Sequence, residues 1–193
     1  MNILGIDQNI LVRLNEFFVG KNPFLDKVLI FFGIYFIYTL PVILVLLWFL
    51  VKKEQRALAF SFAGMLLSWF VITKSIVPAI WFRPRPDLDL IGAKEILFHR
   101  PDYSFPSDHA TALFAITFGL YLFGFKKAAN WFLVYSIIIC FARVVIGVHF
   151  PLDIVAGALS GLISALIIDI FQKPLERIIW KPLIKLLKKI KLA

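Results

Sequence analysis

The sequence predicts an all-α integral membrane bundle of about five transmembrane helices, with an amphipathic interfacial helix at each end. Of its 193 residues, 61% are hydrophobic and only 17% are charged, whereas a soluble domain is about half apolar and about a quarter charged. The apolar runs approach the length of about 20 residues that a helix needs to cross a bilayer. The long polar segment, residues 83–105, reads as a loop. We therefore predict a single membrane domain over residues 1–193, with no separate soluble domain.

The elements follow in order from hydropathy and periodicity. Residues 1–23 alternate charged and apolar side chains at helical spacing, which predicts a helix lying at the membrane interface. A transmembrane core over residues 24–172 follows, and its predicted spans are 24–51, 57–82, 109–123, 128–147 and 152–171. Residues 173–193 form a basic amphipathic tail that suits the surface of an anionic leaflet.

The basic residues indicate how the bundle is oriented. Twelve of the 21 Lys and Arg residues lie between spans one and two, between spans three and four, or in the tail. Five spans place all of these on one side, which the positive-inside rule makes the cytoplasm. We therefore predict a multi-pass protein of the inner (plasma) membrane, with a cytoplasmic C-terminus and an extracytoplasmic loop 83–105.

Charge and cysteine content exclude two other classes. The net charge of +9 is not carried by a basic patch on a polar folded surface, so we predict no binding to nucleic acid. The single cysteine, Cys140, lies in an apolar run and provides neither a disulfide framework nor a thiolate metal site.

Six cations remain in the outer half of the chain after the cytoplasmic and N-terminal ones are set aside. Positive charge on that side needs a reason, and an anionic ligand such as phosphate provides one. These cations are Lys74, Arg83, Arg85, Lys94, Arg100 and Arg143.

The stretch "SFPSDHATA", residues 104–112, begins the third span. We expect Pro106 in the first helical turn, so that the amides near Ser107, Asp108 and His109 point towards the loop at the positive end of a helix dipole. Ser107 adds a hydroxyl donor, and His109 is placed to give a proton to a leaving oxygen. Asp108 reads as a helix-start acid or as an orienter of a nearby donor. Taken alone, the motif also fits an ordinary N-cap.

The stretch "ARVVIGVHFPLD" places Arg143, His149 and Asp153 at the spacing Arg-x5-His-x3-Asp. Pro151 reads as a helix start, which puts Asp153 in the first turn and His149 just before it. A carboxylate there can fix the imidazole tautomer and leave the other ring nitrogen free to attack. Arg143 can clamp two phosphate oxygens. A lone histidine at this depth would instead read as an interfacial anchor.

Together these motifs resemble the phosphatidic acid phosphatase type 2 superfamily, whose signature is Lys-x6-Arg-Pro, then Pro-Ser-x-His, then Ser-Arg-x5-His-x3-Asp. The corresponding stretches here are "KSIVPAIWFRP", "PSDH" and "ARVVIGVHFPLD". The resemblance implies a phosphatase without metal or other cofactor, in which His149 attacks phosphorus, Asp153 orients it and His109 protonates the leaving group. It also implies that the phosphate oxygens are held by Arg83, Arg143, Ser107 and Lys74, with Arg85 as a further candidate.

Two positions depart from the signature. Ala142 stands where the third motif has serine, which removes one hydroxyl. Lys74 lies nine residues before Arg83 where the pattern expects seven, and on a regular helix this spacing turns Lys74 away from Arg83. A break or widening of the helix at Pro78 would restore its approach to the site.

The substrate that the resemblance favours is a lipid phosphate. The size of the chain, the "RPRP" and the "PDYSFPSDHAT" context look most like bacterial undecaprenyl-diphosphate phosphatases of this superfamily. Phosphatidylglycerophosphate, phosphatidic acid and lipid A remain alternatives, as does a non-catalytic membrane protein that binds lipid phosphate. The sequence makes no prediction of oligomeric state.

Overall fold

The structure is a computed structural model that describes residues 3–97 and 101–190. Helix dominates this part of the chain, and the pairing of Pro84 with Tyr103 is its one isolated β-bridge. We number the main helical segments in chain order: α1 Ile3–Phe18, α2 Pro23–Leu50, α3 Lys52–Ile80, α4 Asp108–Leu122, α5 Lys126–Val145, α6 Pro151–Ile170 and α7 Lys181–Lys189.

Four of these segments are long and apolar enough to cross a membrane, namely α2, α3, α5 and α6. Their ends fall within a few residues of the predicted spans. The remaining predicted span, α4, has 15 residues and a length of about 22 Å at 1.5 Å per residue, less than the bilayer core of about 30 Å. The predicted class, an all-helical membrane bundle, is confirmed, while the count of five spans stays a prediction.

Helix α4 lies at the centre of the bundle, where it packs against α3, α5 and α6. Its side chains Leu113, Ile116 and Leu120 are fully buried. Small residues let the neighbouring backbones approach closely, because a Cβ added to Gly161 of α6 would lie only 2.5 Å from the amide nitrogen of Ala115. The short central helix is therefore surrounded by protein rather than by lipid.

Helix α1, which the sequence predicts to lie at the membrane interface, docks one of its faces on α5 and α6. Asp7, Leu11 and Asn15, each four residues apart, are buried on that face. The Asn15 amide donates to the carbonyl oxygens of Lys94 and Val145, both at 3.0 Å, and its oxygen accepts from the Lys94 amide at 2.7 Å. Polar groups on the packed face thus find partners across the interface, while the opposite face stays exposed.

The chain beyond α6 returns to the ends of α2 and α3. The short helical pieces Gln172–Leu175 and Glu176–Trp180 lead into α7, and the Trp180 ring lies 6.2 Å from that of Trp48. Arg56 forms an ion pair with Glu176 at 3.1 Å. Helix α7 itself carries lysines beside exposed leucines, which agrees with the predicted amphipathic tail.

Candidate active site

The N-termini of α4 and α6 meet in the bundle. Ser107 is the N-cap of α4: its hydroxyl oxygen accepts from the Ala110 amide at 3.5 Å, and its own amide donates to the Asp153 carbonyl at 3.0 Å. Pro106 was expected in the first helical turn, but α4 begins at Asp108 and Pro106 precedes the cap. The reason is that a serine hydroxyl can accept from a first-turn amide, which makes Ser107 the better cap.

A tight turn connects α5 to α6 and brings Arg143 back onto His149. The Val148 amide donates to the Arg143 carbonyl at 2.9 Å and the Gly147 amide to the Val144 carbonyl at 3.0 Å, which is the pattern of a Schellman motif. Gly147 has a φ of +74°, in the left-handed region that favours glycine. The turn therefore brings the side chains of Arg143, at the end of α5, and His149, just after the turn, next to each other.

His149 is buried beside Arg143, and only 2% of its side chain is exposed. Its Nε2 atom lies 3.2 Å from an Nη atom of Arg143 and 3.3 Å from one of Arg85. Its Nδ1 atom lies 3.5 Å from Oδ2 of Asp153. Burial, and then the charges of Arg143 and Arg85, lower the pKa of His149 well below its usual value of 6.5. The imidazole is therefore neutral near pH 7, as a nucleophile must be.

Arg143 connects the two histidines that the sequence singles out. One of its terminal nitrogens is the one beside His149, and the other lies 3.3 Å from Nε2 of His109. The latter nitrogen also donates to the Gly33 carbonyl at 2.7 Å. Gly33 lies in a wide π-helical turn of α2, Phe31–Tyr35. Helices α2, α4 and α5 thus converge on one guanidinium.

Arg83 is held by two carboxylates. One terminal nitrogen donates to Asp153 Oδ1 at 2.8 Å and the other to Asp7 Oδ2 at 2.6 Å. The guanidinium also lies over the Phe150 ring, 4.0 Å from its centroid. The resemblance assigns Arg83 to the phosphate. In the structure its two terminal nitrogens bind carboxylates on the Nδ1 side of His149 and do not point at the Nε2 atom.

Arg85 takes the position beside the Nε2 atom instead. It donates to the Val148 carbonyl at 2.9 Å and forms an ion pair with Asp102, and its side chain is 9% exposed. Asp102 belongs to the loop before α4 and was not singled out from the sequence. Of the two arginines in "RPRP", the structure brings the second one to the Nε2 atom of the imidazole.

Lys74 reaches the same corner despite its shifted spacing. Its ammonium group donates to Asp108 Oδ2 at 2.6 Å and to the Tyr103 hydroxyl at 2.7 Å. The wide π-helical stretch Leu67–Ile76 changes the helical phase at Lys74, and α3 ends at Ile80, before Arg83. The break or widening predicted at Pro78 is not found there, since the π-helical stretch precedes Pro78 and the helix continues through it to Ile80.

Of the remaining outer cations, Lys94 contacts the end of α1 instead of the residues around His149. The Lys94 ammonium group donates to the Val19 carbonyl at 3.2 Å, near the end of α1. Arg100, like His99 beside it, lies outside the described residues.

Asp7 is a second residue at this site, after Asp102, that sequence reasoning missed, because residues 1–23 were interpreted only as an interfacial helix. The signal that could have found it is the spacing of Asp7, Leu11 and Asn15, which puts two polar residues and a leucine on one helical face. A polar face of that kind avoids the lipid tails, and the neighbouring structure decides whether it meets water or protein.

No group of three or more His, Cys, Asp or Glu side chains is placed to hold a metal ion in residues 3–97 and 101–190. The positive charge around His149 is provided by the guanidinium groups of Arg85 and Arg143. Fixed donors of this kind suit the equatorial oxygens of a phosphoryl group.

A buried histidine between two arginines, on a helical membrane bundle, is an arrangement that suits a membrane phosphatase. Comparison with known families agrees: residues 56–176 match the model of the PAP2 superfamily. The chain belongs to the PAP2 superfamily and is a phosphatase.

Curated relatives share about three quarters of the chain. It is 33% identical to the bacitracin transport permease protein BcrC of Bacillus licheniformis, over 78% of this chain and 73% of that protein. It is 31% identical to the putative undecaprenyl-diphosphatase YbjG of Escherichia coli, over 75% and 72%. It is 28% identical to the undecaprenyl-diphosphatase BcrC of Bacillus subtilis, over 76% and 72%.

A solved structure shares the fold. The crystal structure of Aquifex aeolicus LpxE aligns with a TM-score of 0.66 at 24% identity, and the alignment covers 84% of this chain and 94% of that one. At this identity the likeness supports the arrangement of the helices and not the choice of substrate.

Proposed function

We propose that the protein hydrolyses undecaprenyl diphosphate to undecaprenyl phosphate and inorganic phosphate through a phosphohistidine at His149. The observation that carries this proposal is the position of His149 Nε2 between Arg85 and Arg143, with Asp153 on the opposite side of the ring. Two of the relatives bear the name of an undecaprenyl-diphosphatase.

In the first step, Nε2 of His149 attacks the terminal phosphorus. An N–P bond forms, the P–O bond to undecaprenyl phosphate breaks, and His109 gives its proton to the leaving oxygen. Arg85 and Arg143 hold the phosphoryl oxygens in place of the imidazole nitrogens they now contact, assisted by Ser107 and Lys74. Asp153 faces Nδ1 and stabilises the positive charge that develops on the ring.

In the second step, water attacks the phosphorus and the N–P bond breaks. His109, now neutral, takes a proton from the water, so that inorganic phosphate leaves and both histidines return to their starting state. Asp108 pairs with Lys74 and acts as its orienter. No step requires a metal ion.

The surroundings of the site suit a lipid substrate. The residues that lead directly into Arg83 are Ile80, Trp81 and Phe82, and all three are exposed. An apolar border next to a cluster of cations matches a molecule with an apolar chain and a phosphorylated head. With the positive-inside orientation, this border lies at the outer leaflet of the plasma membrane.

The test is phosphate release by the purified protein from a panel of lipid phosphates in the presence of a chelator. The panel contains undecaprenyl diphosphate, undecaprenyl phosphate, phosphatidylglycerophosphate, phosphatidic acid and lipid A. We expect turnover to be highest with undecaprenyl diphosphate and to persist in chelator. His149→Gln should abolish release, and a ³²P-labelled substrate should leave an acid-labile label on the wild-type protein only.

Different results would reject different parts of this proposal. Higher turnover of another lipid would replace the substrate, and a requirement for a divalent ion would overturn the metal-free mechanism. Phosphate release that survives His149→Gln would show that this residue is not the nucleophile.

A further inference from the structure

The N-terminal helix provides a carboxylate to the catalytic centre. Asp7 lies on the docked face of α1 with 1% of its side chain exposed. Its Oδ2 accepts from Arg83 at 2.6 Å and its Oδ1 accepts from the Leu152 amide at 2.8 Å. Leu152 is in the first turn of α6, the helix that carries Asp153. Asp7 is therefore bonded both to α6 and to Arg83, the arginine that pairs with Asp153.

Two ion pairs and one 3.5 Å contact connect α1 to the proposed nucleophile. Asp7 pairs with one terminal nitrogen of Arg83, the other terminal nitrogen pairs with Asp153 Oδ1, and Asp153 Oδ2 lies 3.5 Å from His149 Nδ1. Burying one cation with two anions is costly unless every partner stays in place. Each partner therefore restricts the positions that the others can take.

We propose that Asp7 is a positioning residue of the reaction, which acts through Arg83 to hold Asp153 and His149 in the orientation for attack on phosphorus. This inference rests on the proposed function. It also assigns Arg83 to the carboxylates, while Arg85 and Arg143 serve the phosphate.

The role has an electrostatic consequence. Shared between two carboxylates, Arg83 neutralises only part of the charge of Asp153. If Asp7 loses its charge, Arg83 acts on Asp153 alone and weakens its stabilisation of the positive ring that forms during attack. The turnover number should fall, whereas KM should change little because Asp7 does not face the phosphate position.

The pH profile distinguishes this role from simple packing. The charged and titratable groups facing His149 are Arg85 and Asp102 from the loop and Arg143 from α5, together with Asp153 from α6. His109 lies beyond Arg143, and Arg83 and Asp7 lie beyond Asp153. Removing one anion from this set lowers the pKa of His149, so the acid limb of kcat/KM should move to lower pH.

The experiment compares Asp7→Asn with Glu16→Gln in the full-length protein, using the lipid phosphate that the wild type hydrolyses fastest. Both variants remove one negative charge from α1, but Glu16 is exposed. We expect Asp7→Asn to reduce kcat about tenfold, to change KM less than about twofold and to shift the acid limb down by about half a pH unit. Glu16→Gln should resemble the wild type.

A double-mutant cycle tests whether Arg83 carries the effect. In an Arg83→Gln background, Asp7→Asn should cost little more, because the two residues act as one unit. If the effect of Asp7→Asn is as large there as in the wild type, or if the acid limb does not move, Asp7 has only a packing role and the inference is wrong.

Asp7→Glu serves where the asparagine variant does not fold. It keeps the carboxylate, so the acid limb should stay at its wild-type position and most of kcat should return; a tenfold loss with Asp7→Glu would overturn the inference. Loss of phosphate release with His149→Gln but wild-type behaviour of Asp7→Asn would reject this inference alone. Retained release with His149→Gln would reject the proposed function itself.

Discussion

At the scale of single residues, His149 is subject to three influences that act on its pKa in the same direction. Burial is the largest, and the charges of Arg143 and Arg85 add to it. A histidine whose pKa is lowered stays neutral at pH values where an ordinary imidazole is already half protonated. The acid limb of kcat/KM, which reports the free enzyme, should therefore lie below pH 6.5.

Arg85→Gln should move that limb in the opposite direction from Asp7→Asn. Removing a cation raises the pKa of His149, so activity is lost at a higher pH as the solution is acidified. We also expect kcat/KM near pH 7 to fall about 10- to 100-fold, since a charged hydrogen bond to phosphate is lost. The measurement is kcat/KM as a function of pH.

Arg13→Gln is the matched control for this prediction, because Arg13 is an exposed arginine of α1. Its acid limb should coincide with that of the wild type. A limb that stays in place in Arg85→Gln, or that moves to lower pH, would show that Arg85 does not act on the nucleophile.

At the scale of helices, close contact between α4 and α6 sets the positions of the residues at their N-termini. A Cβ on Gly157 would lie 2.7 Å from the Ala110 Cβ and 2.9 Å from the Ser107 carbonyl oxygen. The amide of Ser107 is bonded to the Asp153 carbonyl between the same helices. The glycines of α6 therefore determine how near His109 comes to His149.

Gly161→Ala should destabilise the bundle. The added methyl group would lie 2.5 Å from the Ala115 amide nitrogen, and backbone of this kind can yield only if the two helices separate. We expect a loss of about 1 to 3 kcal/mol, typical of overpacking, seen as a lower melting temperature in detergent, together with reduced phosphate release.

Gly64→Ala is the control, since its added Cβ would lie 3.7 Å from the nearest atom, Ala165 Cα, at ordinary contact distance. Alanine is the better helix former, so this variant should melt at the same temperature or higher. Equal losses in the two variants would mean that the close approach at Gly161 has no special role.

The helices and the central histidines could be predicted because their signals are local. Apolar runs and helix-start prolines mark the spans, and the spacing Arg-x5-His-x3-Asp brackets a turn that returns Arg143 to His149. The partners of Arg83 could not be predicted in this way. They depend on how α1 docks, and the exposed face of an amphipathic helix looks much like its packed face until the neighbour is known.

The phase of Lys74 shows the same limit. Counting residues on a regular helix turns it away from the site, yet the π-helical stretch Leu67–Ile76 brings it to Asp108 and Tyr103. A π-helical turn is stabilised by tertiary contacts, and none of its residues marks it in the sequence.

At the scale of the whole molecule, the orientation predicted from the distribution of Lys and Arg can be tested with cysteine labelling. Cys140 is buried and can be replaced with serine to give a cysteine-free background. Asp89→Cys, in the loop between α3 and α4, should react with a membrane-impermeant maleimide in intact cells. Lys53→Cys, in the first turn of α3, should react only after the membrane is permeabilised.

Both positions are exposed in the structure, so a difference in labelling reports sidedness rather than burial. The reverse pattern would place the histidines at the cytoplasmic leaflet. The proposed lipid substrate would then have to be hydrolysed at the inner surface.

The proposed role of Asp7 makes the N-terminal helix α1 part of the functional unit of this protein. The family match starts at residue 56. A protein truncated to the matched residues would keep both motif histidines but would lack Asp7, the carboxylate that shares Arg83 with Asp153. Shortened versions made for engineering or for inhibitor screens should retain α1. Without it, Arg83 would lose its Asp7 partner and inhibitors would meet a site that differs from the one in the full chain.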